Sequence, residues 1–560
     1  MVEKIISLLS RKIVSLHSAA YLLAFFAIFS QLLALIRDRL LAHSFGAGST
    51  LDVYYAAFRI PDFIYASVAS IVSISVLVPF LASRLEDDNT DAKSFIDNIF
   101  TSFFWFITLI SLIVFIFTPK IVNIVYPSFS GTSAFTDIVF LTRILLLSPI
   151  LLGISNLLAS ITQTFNQFFV YALSPLLYNL GIIFGIIFLY PSFGLTGLGV
   201  GVIIGAFLHL LIQVPTVAKS GFIPSLRFRI SFSDIKNVTL TSLPRTLALS
   251  ANQLSLLVLI SMAAFMSEGS ISIFNFSFNI QSAPLSIIGV SYSLAAFPTL
   301  SRLYSSGKTK DFLEHIVSAA RYIIFWSLPA IVLFIVLRAQ IVRTLLGSGE
   351  FSWSDTRLTA AALAIFVVSL VGQGLNQLFI RGYYAAGNTI KPLVVNIVSS
   401  VTIVVSALIF TNIYSNFEFL RFFLESLLRV SDIPSTSVLV LPLAYTTGLL
   451  VNGALFWFLF QRDFSGFSSS LHRMIFESLS GSLIAGVTAY LGLLVFSNIF
   501  DLTTLIGIFL QGLFAGLLGI VAGIALLYAL GSEELRDVYL SLREKFWKDA
   551  RPIISEREEI

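Results

Sequence analysis

The chain has 560 residues, 57% of them hydrophobic and 11% charged, with a formal net charge of +4 and no cysteine. Soluble domains carry roughly 25% charged residues, so a water-soluble globular fold is excluded, and a mean hydropathy of +0.92 makes lipid the solvent. Without cysteine there are no disulfides, thiolate metal sites or cysteine nucleophiles.

The first 18 residues carry Lys4, Arg11 and Lys12 and run into a full-length span without a clean cleavage site, so the first span is expected to be retained. Fourteen apolar segments are each long enough to cross about 30 Å of hydrocarbon. They lie near 17–43, 50–83, 95–118, 135–163, 169–190, 195–218, 237–266, 269–301, 314–337, 356–380, 390–412, 437–461, 474–498 and 503–530. Pro61, Pro149, Pro244, Pro284 and Pro329 fall inside spans and predict tilts or kinks. Residues 413–436, with Phe417-Glu418-Phe419-Leu420, suit a short helix lying at the membrane interface. The mixed-sign tail after Gly531 reads either as an amphipathic helix on the inner leaflet or as a solvated tail.

Lys and Arg fix the orientation. With the N-terminus inside, the inner loops receive Arg84 and Lys93, then Lys219, Arg227, Arg229 and Lys236, then Arg302, Lys308 and Lys310, then Arg381, Lys391, Arg462 and Arg473. The outer loops receive only Lys120, Arg338, Arg343, Arg421 and Arg429, as the positive-inside rule requires. Both termini are therefore expected in the cytoplasm.

Two look-alike pairs recur about 220 residues apart. Phe58-Arg59-Ile60-Pro61 answers Phe278-Asn279-Ile280-Gln281, and Pro175-Leu176-x-x-Asn179 answers Pro392-Leu393-x-x-Asn396. Six crossings per repeat is an even number, so both halves insert the same way up, around a pseudo-axis along the membrane normal. The expected fold is an all-α polytopic membrane protein of about 14 transmembrane helices: two six-helix lobes in a parallel repeat plus two C-terminal helices. The divisions are an N-lobe at 1–219, a cytoplasmic inter-lobe loop at 220–235, a C-lobe at 236–462, the last two spans at 463–530 and the tail at 531–560. Repeats of this kind point to a transporter that rocks two halves around a site between them.

Ionisable groups inside spans are costly and mark function by default. Span one ends in Arg37-Asp38-Arg39; Asp52 opens span two, and Arg59 stands seven residues on, on the same helical face. An arginine fork here suits a phosphate. The alternative is that Arg37 and Arg39 snorkel to the interface and that Asp38 or Asp52 pairs with a nearby arginine. In the second half Arg245, Asn252, Asn279 and Gln281 belong to two polar helix faces that point to a hydrated cavity or to helix–helix hydrogen bonds. Arg143, Gln373, Asn376 and Gln377 are weaker candidates of the same kind. The five histidines lack metal-ligand spacing, the Gly46/Gly48 loop lacks the lysine of a P-loop, and no nucleophile–base set supports an enzyme.

At Arg37-Asp38, Phe45-Gly46-Ala47-Gly48, Asp52, Phe58-Arg59-Ile60-Pro61 and Val78-Pro79 the chain resembles the MurJ (MviN) family of bacterial lipid II flippases, within the multidrug/oligosaccharidyl-lipid/polysaccharide exporter superfamily. Gly289-Val290, Phe297-Pro298-Thr299-Leu300-Ser301, Gly349-Glu350-Phe351 and Lys391-Pro392 extend the resemblance along the whole chain. It implies a MATE-like fold and a V of two lobes with two extra helices grooved for a lipid tail. The implied activity is movement of lipid II, the undecaprenyl-pyrophosphate-linked disaccharide-pentapeptide, to the outer leaflet of the bacterial cell membrane for peptidoglycan synthesis. The implied partners are lipid II, membrane lipids and cell-wall synthesis proteins, with no nucleic acid. No cofactor is implied; a coupling ion or the membrane potential supplies the energy.

The chain departs from the family's pattern at Gln31 and Asn279, where the family has arginines, at Tyr65 and Ala66, where the family has a basic run, and at Ser70 and Ile71, where the family has an acidic-Gly motif, leaving Arg37 as the one central arginine. Arg59 and Arg245 are the expected replacements. The other readings are an exporter of a different polyprenyl-linked glycan or an amphipathic drug, and a non-transporting scaffold or glycosyltransferase of the cell wall.

Overall fold

Hydrocarbon offers no partner to a backbone N–H or C=O, so each apolar segment must satisfy its own, which a helix does. The computed structural model describes residues 16–546 apart from 73, 88, 228–230, 465, 466 and 468–470, and every regular element among the described residues is helical. The expectations for residues 1–15, Arg229 and 547–560 lie outside the described residues. In chain order the helices are α1 (Leu16–Phe45), α2 (Ser49–Ile64), α3 (Ile74–Asp87), α4 (Asn89–Val125), α5 (Ser133–Leu145), α6 (Leu147–Thr164), α7 (Phe168–Phe184) and α8 (Leu195–Leu211). Then come α9 (Phe232–Ala263), α10 (Ser270–Leu285), α11 (Ser291–Ser305), α12 (Thr309–Val336), α13 (Arg338–Leu346), α14 (Trp353–Val367), α15 (Leu370–Ala385) and α16 (Ile390–Asn416). The last five are α17 (Glu418–Leu428), α18 (Val440–Asp463), α19 (His472–Phe496), α20 (Leu505–Ala529) and α21 (Glu533–Phe546).

Among the described residues eleven helical stretches are long and apolar enough to cross a membrane, twelve if α14 and α15 form one span broken at 368–369. The remaining two of the fourteen expected segments are α1 and the pair α2–α3. The chain is a multi-pass membrane protein.

The helix starts carry the duplication further than sequence matches do. Ser49 and Ser270, Asn89 and Thr309, Ser133 and Trp353, and Phe168 and Ile390 open corresponding helices, each pair about 220 residues apart. A π-helical turn at Tyr65–Ala69 has its counterpart at Ser286–Val290.

Two compact units are formed. One holds Met1–Ala283, Val342–Ser369 and Gly387–Leu455; the other holds Pro284–Ile341, Leu370–Ala386 and Phe456–Ile560. These divisions run across the lobe boundaries drawn from the repeat.

Prolines explain two side chains of the first unit. Pro61 donates no N–H, so the Ala57 carbonyl one turn back has no helical partner; the buried Thr142 hydroxyl donates to it at 3.3 Å. Pro119 likewise frees the Phe115 carbonyl, which accepts from Arg143 Nε at 3.2 Å while the guanidinium sits over the Phe115 ring. Arg143 is spent on this repair. Thr142→Val should lower stability by about 1 kcal/mol, read as a small fall in the unfolding midpoint in detergent.

Small residues set the closest helix crossing. A Cβ on Gly181 would fall 2.3 Å from the Gly205 Cα, and one on Gly201 would fall 2.5 Å from the Gly185 Cα. Backbone contact of this kind drives helix association where water supplies no hydrophobic force.

The stretch 223–227 is strapped to α4. Asp97, 1% exposed, accepts from the Ser225 N–H at 2.9 Å, from Arg227 Nε at 3.0 Å and from Lys93 Nζ at 2.5 Å. Arg84 then holds Asp234, at the start of α9, at 2.6 Å.

The expected interfacial helix is α17. Phe419, Phe422, Phe423 and Leu427 are exposed, while Leu424 and Glu425 turn inward, Glu425 accepting from the Thr436 hydroxyl at 2.6 Å. Asp432, after α17, is bonded by Arg357 at 2.6 and 2.7 Å, which holds its carboxyl below the usual carboxylate range.

In the second unit α19 and α20 pack through small residues; a Cβ on Gly519 would meet the Ala485 carbonyl at 2.5 Å. The tail begins as α21, held to α12 by Arg321 with Glu534 at 2.7 Å and Glu533 at 2.9 Å.

Candidate functional site

Three polar contacts tie α1 and α2 to α10, in register along it. At the top, Asp52 accepts from the Gly269 N–H at 2.7 Å, the Ser272 N–H at 2.8 Å and the Ser272 hydroxyl at 2.7 Å. These are orphan donors of the first turn of α10, and a carboxylate there also meets the positive end of the helix dipole. Two turns down α2, Arg59 donates to Asn275. Further along α10, Asn279 Nδ2 donates to Asp38 at 3.0 Å.

Asp38, 3% exposed, also takes the Arg37 fork at 2.8 and 3.0 Å. The other arm of Arg37 donates to Asn179 Oδ1 of α7 at 3.1 Å. Arg37 is thus pre-aimed by one anion and one neutral acceptor, so its charge is largely compensated in place.

The end of α1 is clasped as well. Arg39 donates to the carbonyls of Thr344 and Leu345, at 2.6 and 3.2 Å, where it caps the C-terminal turn of α13 rather than reaching for lipid headgroups. The Glu350 N–H donates to the His43 carbonyl at 3.0 Å. Gly46 and Gly349, both at positive φ, allow that approach: a Cβ would stand 2.6 Å from the Glu350 carbonyl or 2.2 Å from the His43 carbonyl.

Of the expected site residues, Arg37, Asp38, Asp52, Arg59 and Asn279 meet at this contact. Asp52 and Arg59 do share a face, and that face meets α10. Gln281 is 1% exposed, with its Nε2 unpartnered. The Asn252 side chain, half-buried on α9, joins none of these bonds. Arg245 precedes Thr246, which bonds Ser70, while Ser250 bonds Ser67 and Ser242 bonds the Ile71 carbonyl. It therefore sits eleven residues along the span from Arg59, roughly 16 Å at the helical rise. In this conformation Arg245 and Arg59 stand at different levels of the span.

Behind the Arg37–Asn179 bond lies a cavity of about 290 Å³ within the helices α2, α5, α6, α7 and α8. Its polar lining is Asp62, Tyr65, Ser148, Tyr178, Asn179 and His209. Sequence reasoning passed over Asp62 and His209. Asp62 had a signal, as an ionisable residue directly after Pro61 in the most specific motif; His209 was weighed only as a metal ligand. Among the described residues no group of three or more histidines or carboxylates is placed to hold a metal ion. A second cavity of about 360 Å³, between α4, α9 and the stretch after the π turn, is almost wholly apolar.

Duplicated apolar helices with a charge-compensated arginine among them describe a polytopic membrane protein of the transporter class. The arrangement matches an inward-facing multidrug resistance MATE family transporter of the MOP superfamily at 15% identity and a TM-score of 0.63, over 80% of this chain and 99% of that one. The lipid II flippase MurJ in its inward closed conformation matches at 22% identity and a TM-score of 0.72, over 93% of this chain and all of that one.

The family profile described as lipid II flippase MurJ matches residues 41–511, and the chain belongs to that family. Among similar relatives, the lipid II flippase MurJ of Burkholderia cenocepacia is 25% identical over 376 residues, 66% of this chain and 73% of the relative. The probable lipid II flippase MurJ of Rickettsia prowazekii is 27% identical over 387 residues, 69% and 76% respectively.

Proposed function

We infer that this protein flips lipid II from the inner to the outer leaflet by alternating access, with Arg37 as the cationic contact for the pyrophosphate. Membership of the flippase family carries the reading, and the half-buried Arg37, held by Asp38 and Asn179, supports it. An anion taken into a low-dielectric site must be paired, and a guanidinium fork pairs with phosphate oxygens two at a time. Arg37 is held by Asp38 and Asn179, so an arriving pyrophosphate exchanges for Asn179 without leaving Asp38 unpaired.

The polyprenyl tail stays in lipid throughout. Separation of α2 from α10 would open the site outward, and that step must break the Asp52, Arg59 and Asn279 bonds. Both termini lie in the cytoplasm on the positive-inside argument. Membrane potential is the economical driving force, since moving one charge is worth about 2.3 kcal/mol per 100 mV.

Depletion of the protein in its host, followed by a leaflet-resolved assay of lipid II, tests this. Lipid II should accumulate in the inner leaflet, rescued by wild type and not by Arg37→Ala. Unchanged lipid II sidedness on depletion rules the reading out.

A further inference from the structure

We propose that the cavity behind Arg37 is a proton site, with Asp62 as the acceptor, and that its occupancy is linked to the Arg59–Asn275 bridge. Asp38 and Asp52 are each met by several donors, whereas the Asp62 carboxylate is party to no hydrogen bond or ion pair among the described residues and feels Arg59 only through space. An ionised carboxylate so placed, within helices that cross hydrocarbon, is costly until something neutralises it.

The lining decides what that something is. A hard metal cation wants a shell of several oxygens. Asn179 Oδ1 is already taken by Arg37, and the Tyr65 hydroxyl accepts from Asn156 Nδ2 at 2.8 Å. His209 brings nitrogen rather than oxygen, with Nδ1 engaged by Ser155 at 2.7 Å, which leaves Nε2 as the ring nitrogen available to the cavity. Asp62, Ser148 and Tyr178 are the other side-chain oxygens of the lining, with a single carboxylate among them: a sparse shell for a metal ion and enough for a proton.

The charged and titratable groups around Asp62 are few. Arg59 and Tyr54 share its helix, Tyr178 of α7, His209 of α8 and Tyr65 line the cavity wall, and Tyr126, after α4, lies within electrostatic reach. Arg37 of α1 stands one hydrogen bond beyond, through Asn179, and Arg143 of α5 is spent on the Phe115 carbonyl. Helix α6 brings no charged residue, and Arg245 of α9 sits a further stretch along the span.

Uptake of one proton converts the Asp62 carboxylate to a neutral acid by forming one O–H bond, and no other covalent bond changes. Arg59 is three residues back on α2, close enough for side-chain contact, and its Nε is buried without a partner. Ionised Asp62 therefore draws the guanidinium away from Asn275, whereas protonated Asp62 leaves it on α10. Protonation thus favours the bridged arrangement of α2 and α10. It also matters for cargo, a step that rests on the flippase reading: Arg37 and Arg59 face Asp38, Asp52 and Asp62, and a proton on Asp62 removes the excess negative charge from a site meant for an anion.

The test is infrared titration of the purified full-length protein, following the carbonyl stretch of protonated carboxylic acid. Wild type should show a band that titrates with pH; Asp62→Asn should lack it, Asp62→Glu should restore it, and His209→Gln should move its midpoint. Identical bands in wild type and Asp62→Asn overturn the proposal. A band insensitive to pH but abolished when sodium replaces choline also overturns it, in favour of a metal cation. In proteoliposomes with fluorescent lipid II, the wild-type rate should vary by up to about tenfold per pH unit and the Asp62→Asn rate should be flat. Should wild type move no lipid II at all, the flippase reading fails while the infrared arm still decides the proton site.

Discussion

Gly201→Val is expected to abolish accumulation of the folded protein. The added Cβ would lie 2.5 Å from the Gly185 Cα and 3.0 Å from its nitrogen, both backbone atoms that cannot turn aside as a flexible side chain would. Helices α7 and α8 would have to separate, and the contact extends in both directions: Gly181 meets Gly205 one turn away, and Gly197 meets the Leu189 carbonyl on the other side. Dispersion along the whole crossing falls off steeply with separation, and lipid does not squeeze the helices back together. The cost should be at least about 3 kcal/mol, measured as loss of monodisperse protein after extraction and as a lowered unfolding midpoint of whatever remains. Val200→Leu, on the neighbouring exposed position, is the control and should be nearly silent. Equal yields for the two variants would show that the glycine crossing does not hold the unit together.

The spans were legible because hydrocarbon thickness sets a length and forbids unpaired backbone, so a run of about twenty apolar residues has one outcome. A short helix within 413–436 was legible for a related reason, since aromatic residues mixed with charge suit neither core nor water, and α17 occupies Glu418–Leu428. The spacing of Asp52 and Arg59 correctly placed them on one face. What that face meets was not legible: α10 lies more than two hundred residues away, and nothing local in either helix records the partner.

Depth was lost as well. Arg245 is expected beside Arg59 as a replacement charge, while the pairing of Thr246 with Ser70 sets it eleven residues along the span from Arg59. Arg143 is a weaker cavity candidate in sequence because its span gives no hint of Pro119 on another helix, whose missing N–H leaves the Phe115 carbonyl to Arg143 and the Thr118 hydroxyl. Asp62 was missed because the motif that contains it was read for what it shares with a family rather than for the charge it adds.

Asp52→Ala should open the contact between α2 and α10 and stop transport while leaving the protein folded. The carboxylate, 5% exposed, accepts three hydrogen bonds from the first turn of α10, and alanine leaves two buried N–H groups and a hydroxyl without that partner. Bonds to a charged acceptor contribute about 1.5–3 kcal/mol each, less than additively when they share one group. A net loss of about 3 kcal/mol shifts the balance between closed and open contacts roughly a hundredfold. The remaining ties, Arg59 to Asn275 and Asp38 to Asn279, lie deeper along α10, so the change should be felt first at its N-terminal end. The chain has no cysteine, so a single one at Ile273, in the apolar cluster with Leu358, Ala361 and Val438, reports that end alone. It should resist a membrane-impermeant maleimide with Asp52 in place and react readily in Asp52→Ala. Asp52→Asn, which keeps one acceptor oxygen and loses the charge, should fall between the two. Slow labelling in all three would mean that the cap does not govern this contact, and the opening step would have to be sought at Asp38 and Arg59 instead.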